Sequence, residues 1–199
     1  MNTLNNILIL GGTKFVGKSF ANYFGSLDGV NKKYRIFLAN RMIAGRCDIK
    51  INRDDDKSCT ILKKYFFDVV IDFSCYNLTQ FKNTYDYLSF NKYIFISTSA
   101  VEGIPFQNVS PDMYEMVNYA YAKKECEDFI INNIKNYSII RPCYVVGKDD
   151  YTDRFYKKDD KYYWNNGLEL TYYIEVNALS EVIFNQISNP NTLILNPCR

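Results

Sequence analysis

The stretch ILILGGTKFVG at residues 7–17 decides the fold. Its first four residues form an uninterrupted apolar run, which is typical of a strand covered on both faces in a parallel sheet. Gly11 and Gly12 end that run, and apolar residues then recur at helical spacing from Phe15 to Phe24. Strand, glycine turn and helix follow in the order that a dinucleotide-binding turn requires, although an ordinary strand-to-helix turn has the same order.

The same alternation continues outward along the chain. Further strands are predicted at 35–39, 69–73, 93–97, 137–141 and 192–195, and helices at 58–66, 79–90, 115–133 and 177–187. Such alternation predicts βαβ units with right-handed crossovers. The predicted fold class is therefore α/β, a Rossmann-like doubly wound parallel sheet with helices on both faces, in one domain over residues 1–199.

Residues 148–173 break this rhythm with charged and aromatic side chains, and we interpret them as a loop-rich excursion on the substrate side. Their Tyr and Trp side chains either stack on a base or a sugar or pack against one another.

Composition limits the available chemistry. The 199 residues include 24 Lys and Arg and 22 Asp and Glu, and a net charge of +2 is too small to indicate a DNA or membrane surface. No His is present, so proton transfer has to use Tyr, Lys, Cys, Asp or Glu. The apolar run at 7–10 is too short for a signal peptide or a membrane span, and a cytoplasmic protein is expected.

The six Cys form no CxxC pair and are interpreted as reduced thiols. Cys75 and Cys143 fall near strand ends, where the sequence is compatible with a reactive thiol or a buried inert one. Asp54, Asp55 and Asp56 precede a predicted helix, where acidic residues suit the helix N-terminus better than a metal. No metal site is predicted.

The residues after the second strand bear on the choice of nicotinamide cofactor. A carboxylate there would bind the ribose 2′-hydroxyl of NAD, but the residues are Asn40 and Arg41. Because a guanidinium can clamp a 2′-phosphate and Lys14 adds positive charge nearby, the sequence favours NADP, with NAD as the second choice. The alternative is that Arg41 is a solvated surface residue.

Tyr119 and Lys123 lie four positions apart on a predicted helix, so both side chains project from one face. The pair can perform acid/base chemistry without His, since an ammonium near a phenol favours the phenolate. One strand earlier, Ser97, Thr98 and Ser99 place hydroxyls at a strand's carboxyl end, where they can hold the same substrate oxygen.

In this order, the elements resemble the short-chain dehydrogenase/reductase superfamily, and within it the extended or atypical NAD(P)-dependent epimerase/dehydratase branch that acts on nucleotide sugars. The resemblance covers residues 7–196. Five segments carry it: the glycine turn at 11–17, the strands at 68–73 and 93–99, YAYAK at 119–123 as the YxxxK motif, and RPCYVVG at 141–147.

The resemblance implies a role for each matching residue. Tyr119 would be the acid/base, and Lys123 would assist it and hold the nicotinamide ribose. Thr98 would orient the substrate oxygen, with Ser99 as its rival for that role. The cofactor-binding residues that the resemblance implies are Gly11, Thr13, Lys14, Phe15, Val16, Gly17, Asn40, Arg41, Phe73, Ser74, Lys123 and Pro142.

Three departures from the family pattern bear on function. Lys14 stands at the middle glycine of GxxGxxG, as in an atypical subgroup with GGTxFxG turns. Ser99-Ala100 replaces the Asp-Glu pair of sugar 4,6-dehydratases, which argues against that dehydration. The C-terminal substrate domain of extended members is mostly absent, so a much reduced C-terminal substrate region is expected. Apart from these three, Asn52 stands in place of the family's acidic adenine contact.

The sequence thus predicts an enzyme, an NADP-dependent oxidoreductase or epimerase for a nucleotide sugar. Reduction of a keto-sugar with Tyr119 as acid/base is favoured over epimerisation, since the chain offers little lid to enclose a rotating intermediate. The alternative is a non-catalytic NAD(P)-binding sensor, or a regulatory or RNA-associated member of the atypical subgroup. The resemblance also implies a homodimer through the helix that contains Tyr119.

Overall fold

The computed structural model describes residues 5–42, 45–103 and 114–198, with the backbone alone for 114–116. Its strands are β1 Asn5–Leu10, β2 Tyr34–Asn40, β3 Ile49–Lys50, β4 Phe67–Asp72, β5 Phe90–Ile96, β6 Tyr137–Ile140, β7 Tyr144–Val146, β8 Phe155–Lys158, β9 Lys161–Trp164, β10 Tyr173–Glu175 and β11 Leu193–Leu195. Seven of them form one parallel sheet in the order β11-β6-β5-β4-β1-β2-β3.

The central strand β1 is buried on both faces, as its apolar run predicts. Leu8 and Leu10 face one hydrophobic core, whereas Ile7 and Ile9 face the other, and all four are fully buried. The strand order reverses at β1, which lies between β2 and β4. In doubly wound sheets such a reversal opens a crevice at the carboxyl ends of the strands, where ligands bind.

Helices cover both faces of the sheet. They are α1 Phe15–Ser26, α2 Asp56–Cys59, α3 Leu78–Tyr85, α4 Tyr114–Asn133 and α5 Val176–Ile187. Residues of α1 and α5 fill the core on one face, and residues of α2, α3 and α4 fill the core on the other. This arrangement confirms the predicted Rossmann-like α/β fold class.

Two predicted helices differ from the structure. The helix predicted at 79–90 ends at Tyr85, because Phe90 already pairs with Phe67 as the first residue of β5. The helix predicted at 58–66 is instead the short α2 followed by a 3₁₀ turn at Thr60–Lys64. Asp55 caps α2 by accepting a hydrogen bond from the Lys57 N–H, which fits a charged helix entry.

Within residues 148–173, expected to be rich in loops, the structure has an antiparallel hairpin formed by β8 and β9. Asp159 and Asp160 make its two-residue turn with positive φ angles of 48° and 60°, as a type I′ turn requires. Trp164 of this hairpin packs edge-on against Tyr144 and Phe155, each with ring centroids 4.8 Å away. The excursion therefore carries its own small aromatic cluster.

Among the described residues, none of the helices combines the length and apolar character needed to cross a bilayer.

Candidate functional site

A cavity of about 430 Å³ opens at the carboxyl ends of β1, β2 and β4, beside the N-terminus of α1. Its lining contains ten of the twelve predicted cofactor-binding residues, and Lys123 and Pro142 lie outside it. The ten are Gly11, Thr13, Lys14, Phe15, Val16, Gly17, Asn40, Arg41, Phe73 and Ser74. The cavity lies at the reversal of strand order, where this fold binds ligands.

The glycine turn is packed so tightly that its glycines are required. A Cβ on Gly17 would lie 2.2 Å from the Gly11 carbonyl oxygen, so α1 starts in direct contact with the end of β1. Gly11 has a φ of +86°, and a Cβ there would lie 2.5 Å from Cβ of Ser74. The loop after β1 therefore rests directly on the loop after β4.

The N-terminus of α1 offers free donors to the cavity. Lys14 occupies the N-cap position, and its side chain makes no capping hydrogen bond. The first hydrogen bond of the helix runs from the Lys18 N–H to the Lys14 carbonyl, which leaves the earlier N–H groups without helical partners. Together with the helix dipole, these groups suit a pyrophosphate. Phe15 adopts a φ of 29° at this turn, a strained value for a non-glycine residue.

Three cationic side chains line the cavity, and Arg53 differs from the others because all of its donors are occupied. Its two terminal nitrogens bind the carboxylate of Asp72 at 2.6 and 2.8 Å. The remaining contacts run to Ser74 Oγ at 3.4 Å, Thr84 Oγ1 at 3.1 Å and the Gln80 carbonyl at 3.3 Å. Arg53 therefore has no donor left for a ligand phosphate.

Asp72 is the centre of this buried network beneath the cavity. It is fully buried at the end of β4, and it also accepts a hydrogen bond of 2.7 Å from the Tyr93 hydroxyl. Burial alone would raise the pKa of Asp72, but the charge of Arg53 and the hydrogen bonds from Arg53 and Tyr93 lower it overall. The main-chain N–H of Ser74 binds Asp72 at 3.0 Å, so the network fixes the loop on which Gly11 rests.

Asn40 is also committed to the protein rather than to a ligand. Its side-chain oxygen accepts from the Met42 N–H at 2.7 Å, and its amide donates to the Arg46 carbonyl at 2.9 Å. Arg41, by contrast, is exposed and lines the cavity. Lys14 lies with its ammonium 5.6 Å from the ring centroid of Tyr151. Arg41 and Lys14 are thus the cavity cations placed to meet an anionic group.

The predicted acid/base Tyr119 lies on α4 beyond the cavity lining. It is half-buried, and its ring centroid is 6.3 Å from that of Tyr76, a cavity residue on the loop after β4. Burial raises the pKa of Tyr76, and the phenols of Tyr151 and Tyr119 raise it further. Tyr76 therefore connects the cavity to the Tyr119 side of the site.

The ammonium of Lys123 is engaged by the main chain at the end of β5. It is almost fully buried, and its Nζ donates to the Ile96 carbonyl at 2.7 Å. The Nζ lies 4.6 Å from the ring centroid of Phe95 and 5.8 Å from that of Tyr119. In this geometry Lys123 holds α4 against the carboxyl end of β5 and stays near the Tyr119 ring.

The hydroxyl residues follow β5 at the same edge of the sheet. Thr98 is half-buried, and its Oγ1 accepts from the Ala100 N–H at 3.3 Å. Ser99 begins a 3₁₀ turn at Ser99–Gly103 that packs against α4, and its N–H binds the Pro142 carbonyl at 2.9 Å. Thr98 thus lies next to the helix that carries Tyr119. Ser97, by contrast, has a buried Oγ with no hydrogen-bond partner in the part of the chain that the structure describes.

An ion-pair cluster ties these catalytic candidates together. Arg141 after β6 binds the buried carboxylate of Glu127 on α4 through Nε at 3.1 Å and a terminal nitrogen at 2.6 Å. Its other terminal nitrogen reaches Glu102, in the turn after Thr98, at 3.1 Å. One guanidinium therefore connects β6, α4 and the turn after β5.

The site residues predicted from the sequence did not include Arg53, Asp72 or the Glu127–Arg141 pair. Asp72 carried a usable signal, because a carboxylate inside the apolar run of a doubly covered strand needs a buried partner. Nothing local in the sequence indicates that Arg53, nineteen positions earlier, supplies that partner.

No group of three or more potential metal-ligating side chains occurs in the described ranges.

No protein family matches the chain in sequence, and neither does any curated protein. Solved structures are similar to it in fold. UDP-glucose 4-epimerase from Brucella ovis, in complex with NAD, is 16% identical with a TM-score of 0.65, covering 97% of this chain and 77% of the epimerase. dTDP-glucose 4,6-dehydratase from Bacillus anthracis, in complex with NAD, is 14% identical with a TM-score of 0.67, covering 98% and 75%.

A third structure matches in length as well. ChuY from Escherichia coli O157:H7, an anaerobillin reductase, is 13% identical with a TM-score of 0.63, and the match covers 96% of both chains. The chain therefore shares its fold with solved epimerase, dehydratase and reductase structures, which confirms at the level of the fold the resemblance that its motifs predicted.

Proposed function

We propose that the protein is an NADP-dependent oxidoreductase that reduces the keto group of a nucleotide sugar, with Tyr119 as its acid/base. The observation that carries the proposal is the cavity at the reversal of strand order, which meets the uncapped N-terminus of α1. Thr98 follows β5 at the same edge of the sheet, and Tyr119 lies on α4, which packs against the turn after Thr98. These are the two side chains suited to a substrate oxygen.

The cavity residues fit a dinucleotide phosphate. The α1 N-terminus provides donors for the pyrophosphate, and Gly11 and Gly17 keep the turn close to the sheet. Because the donors of Arg53 and the amide of Asn40 are occupied, Arg41 and Lys14 would hold a 2′-phosphate. This distribution of free positive charge supports NADP over NAD.

Tyr119 would move a proton at the substrate oxygen. A bound NADPH supplies the hydride, and Tyr119 delivers the proton to the oxygen that becomes a hydroxyl. Thr98 holds that oxygen through its hydroxyl, while Lys123 keeps α4 seated on β5 and adds positive charge near the phenol ring. The Glu127–Arg141 pair fixes the distance between α4 and the turn after Thr98.

The acid/base role is tested with Tyr119→Phe and the control Tyr121→Phe, since Tyr121 is an exposed neighbour on the same helix. NADPH oxidation is followed with a panel of keto-sugar nucleotides. We expect Tyr119→Phe to reduce turnover at least about a hundredfold, the size typical of a positioned acid, with cofactor affinity retained. Unchanged turnover in Tyr119→Phe would overturn the assignment.

Cofactor preference is tested with Arg41→Gln and the control Lys33→Gln, which removes the same charge at the opposite edge of the sheet. Trp164 fluorescence and the thermal shift report binding of NADPH and NADH. We expect Arg41→Gln to weaken NADPH by roughly tenfold, as the loss of a charge-assisted contact does, and to leave NADH unchanged. Equal weakening of both nucleotides would contradict the 2′-phosphate role.

The position of Lys123 favours a second candidate function, a non-catalytic NADP-binding sensor. Its ammonium donates to the Ile96 carbonyl, so the main chain already uses the cation that would assist Tyr119. A sensor would respond in fluorescence to NADPH and to no nucleotide sugar, whereas an enzyme would respond to both. The Tyr119→Phe experiment separates the two candidates. An enzyme shows NADPH oxidation in the wild type that the variant loses, whereas a sensor shows none in either protein.

A further inference from the structure

Two buried cysteines meet between the cofactor loop and the catalytic helix. Cys75 follows Ser74 on the loop after β4, and Cys126 lies on α4, three positions after Lys123. Their Sγ atoms are 3.9 Å apart, and both side chains are fully buried. The proposed reduction uses neither thiol. We propose that Cys75 and Cys126 form an oxidation site, in which hydrogen peroxide oxidises Cys75 and Cys126 then closes a disulfide.

The distance between the two sulfurs is suited to this reaction. A disulfide requires a separation of about 2.0 Å, so the sulfurs have to approach by roughly half of their present distance. They are already in contact, with no side chain between them. Side-chain rotation on the loop after β4 supplies this approach more readily than movement of α4, which the Glu127–Arg141 pair holds.

The surroundings assign different roles to the two thiols. The hydrogen bond with Cys126 lowers the pKa of Cys75, an effect that burial opposes and that the charges of Arg53 and Lys123 reinforce. The same contact raises the pKa of Cys126. Cys75 is also the thiol whose chain neighbours, Ser74 and Tyr76, line the cavity. We therefore assign it as the nucleophile, since the thiolate attacks peroxide, and Cys126 as the resolving thiol.

The oxidant has a short route to Cys75. The residues on either side of it, Ser74 and Tyr76, both line the cavity. Cys75 itself is fully buried behind this lining, and hydrogen peroxide, which is comparable to water in size, would enter from that side. Cys59 lacks these features. It is also fully buried, but its Sγ contacts the Asn52 carbonyl instead of a second thiol, and burial raises its pKa to about 11.

The reaction balances in two steps. The Cys75 thiolate attacks one oxygen of hydrogen peroxide, the O–O bond breaks, and hydroxide leaves as Cys75 becomes a sulfenic acid. The Cys126 sulfur then attacks the sulfenic sulfur, the S–O bond breaks, and water leaves with the Cys126 proton. Two thiols and one peroxide thus give one disulfide and two waters.

The product connects two parts of the proposed site. Ser74, next to Cys75, supports Gly11 of the glycine turn, while Cys126 shares α4 with Tyr119. A bond between Cys75 and Cys126 would therefore join the cofactor loop covalently to the helix of the acid/base.

The test uses the full chain, reduced and freed of thiols, in the absence of any nucleotide, so its outcome does not depend on the proposed function. After treatment with hydrogen peroxide and alkylation, tryptic peptides are analysed by mass spectrometry. We expect peptide 65–82 linked to peptide 125–135, with the link reversed by dithiothreitol. Each of these peptides contains one cysteine.

Variants identify the order of events. In Cys126→Ser we expect dimedone to label Cys75, and in Cys75→Ser we expect no label on Cys126. Cys59→Ser should form the link like the wild type. The proposal is overturned if the wild type gives no 75–126 link, or if Cys59 is oxidised as fast as Cys75. The wild-type result stands even where a serine variant fails to fold.

Discussion

The floor of the cavity and the hairpin of residues 155–164 show two ways of building with charged and aromatic side chains. Beneath the cavity, Arg53, Asp72 and Tyr93 are buried and mutually bonded, with their hydrogen-bonding groups committed to the protein. On the hairpin, Lys161 pairs in solvent with Glu169, which lies in the segment that follows the hairpin. The difference teaches that the groups beneath the cavity are already paired within the protein interior, whereas the polar groups of the hairpin stay in contact with solvent.

Breaking the buried Arg53–Asp72 pair in the floor of the cavity should have the largest effect on stability. Asp72→Asn keeps the shape of the side chain but leaves the Arg53 guanidinium buried without a counter-charge. Because loss of one partner of a buried pair costs about 3–5 kcal/mol, we expect that decrease in the free energy of unfolding, measured by urea denaturation. If the free energy of unfolding decreases by less than about 1 kcal/mol, the Arg53–Asp72 pair contributes no more than a solvent-exposed pair does. The floor of the cavity and the hairpin would then not differ in this respect.

Low pH should selectively weaken the interaction of Asp72 with Arg53 in the floor of the cavity. The pKa of Asp72 is lower in the folded protein than the ordinary value of about 3.9, so its ionised form contributes stability above that pH. This contribution is lost as the pH falls from about 4 toward the folded pKa. The difference in unfolding free energy between wild type and Asp72→Asn should therefore stay constant from pH 5 to 7 and shrink below about pH 4. If the difference in unfolding free energy instead grew as the pH fell, Asp72 would not be ionised in the folded protein.

Crowding the glycine turn should have an intermediate effect. Gly17→Ala places a Cβ against the main chain of Gly11, which we expect to destabilise the fold by about 1–3 kcal/mol and to weaken dinucleotide binding. Gly25→Ala on the same helix is the control, since a Cβ there meets nothing within 4 Å. That change should be neutral or stabilise by about 0.5–1 kcal/mol. Equal effects at both positions would mean that the turn is not tightly packed.

Changing the hairpin should have the smallest effect. Lys161 and Glu169 pair at 3.0 Å with both side chains about half exposed. Glu169→Gln should reduce the unfolding free energy by less than about 1 kcal/mol, and 1 M salt should remove most of the difference. Salt should leave the effect of Asp72→Asn largely intact. A salt-resistant loss in Glu169→Gln would show that the hairpin pair is as protected as the floor.

The sequence predicted most of the sheet, because a continuous apolar run followed by glycine is a local signal. The run at Ile7–Leu10 and the turn that follows it form β1 and the start of α1 as expected. The predicted C-terminal end of α3, at residue 90, was wrong for a non-local reason. Phe90 fits the apolar spacing of a helix, but pairing with Phe67 draws it into β5. Strand pairing cannot be read from spacing along one segment.

Two features of the molecule, the hairpin turn and the floor of the cavity, could not be predicted from the sequence. The hairpin turn uses Asp159 and Asp160 with positive φ, whereas the usual sequence signal for such a turn contains glycine. The floor depends on Arg53 meeting Asp72 across neighbouring parts of the fold, and no local spacing encodes that meeting. The positions of Tyr119 and Lys123 on one helix were predictable, but the use of the Lys123 ammonium by the Ile96 carbonyl was not.

The buried pair of Arg53 and Asp72 also constrains how this sequence can change over generations. A substitution at either position alone leaves an isolated charge in the interior, whereas replacement of both by apolar residues of similar volume is close to neutral. Descendants of this chain should therefore keep the two residues together or lose them together. Among those descendants we expect substitutions at positions 53 and 72 to be correlated, and we expect Tyr93 to be replaced where Asp72 is replaced.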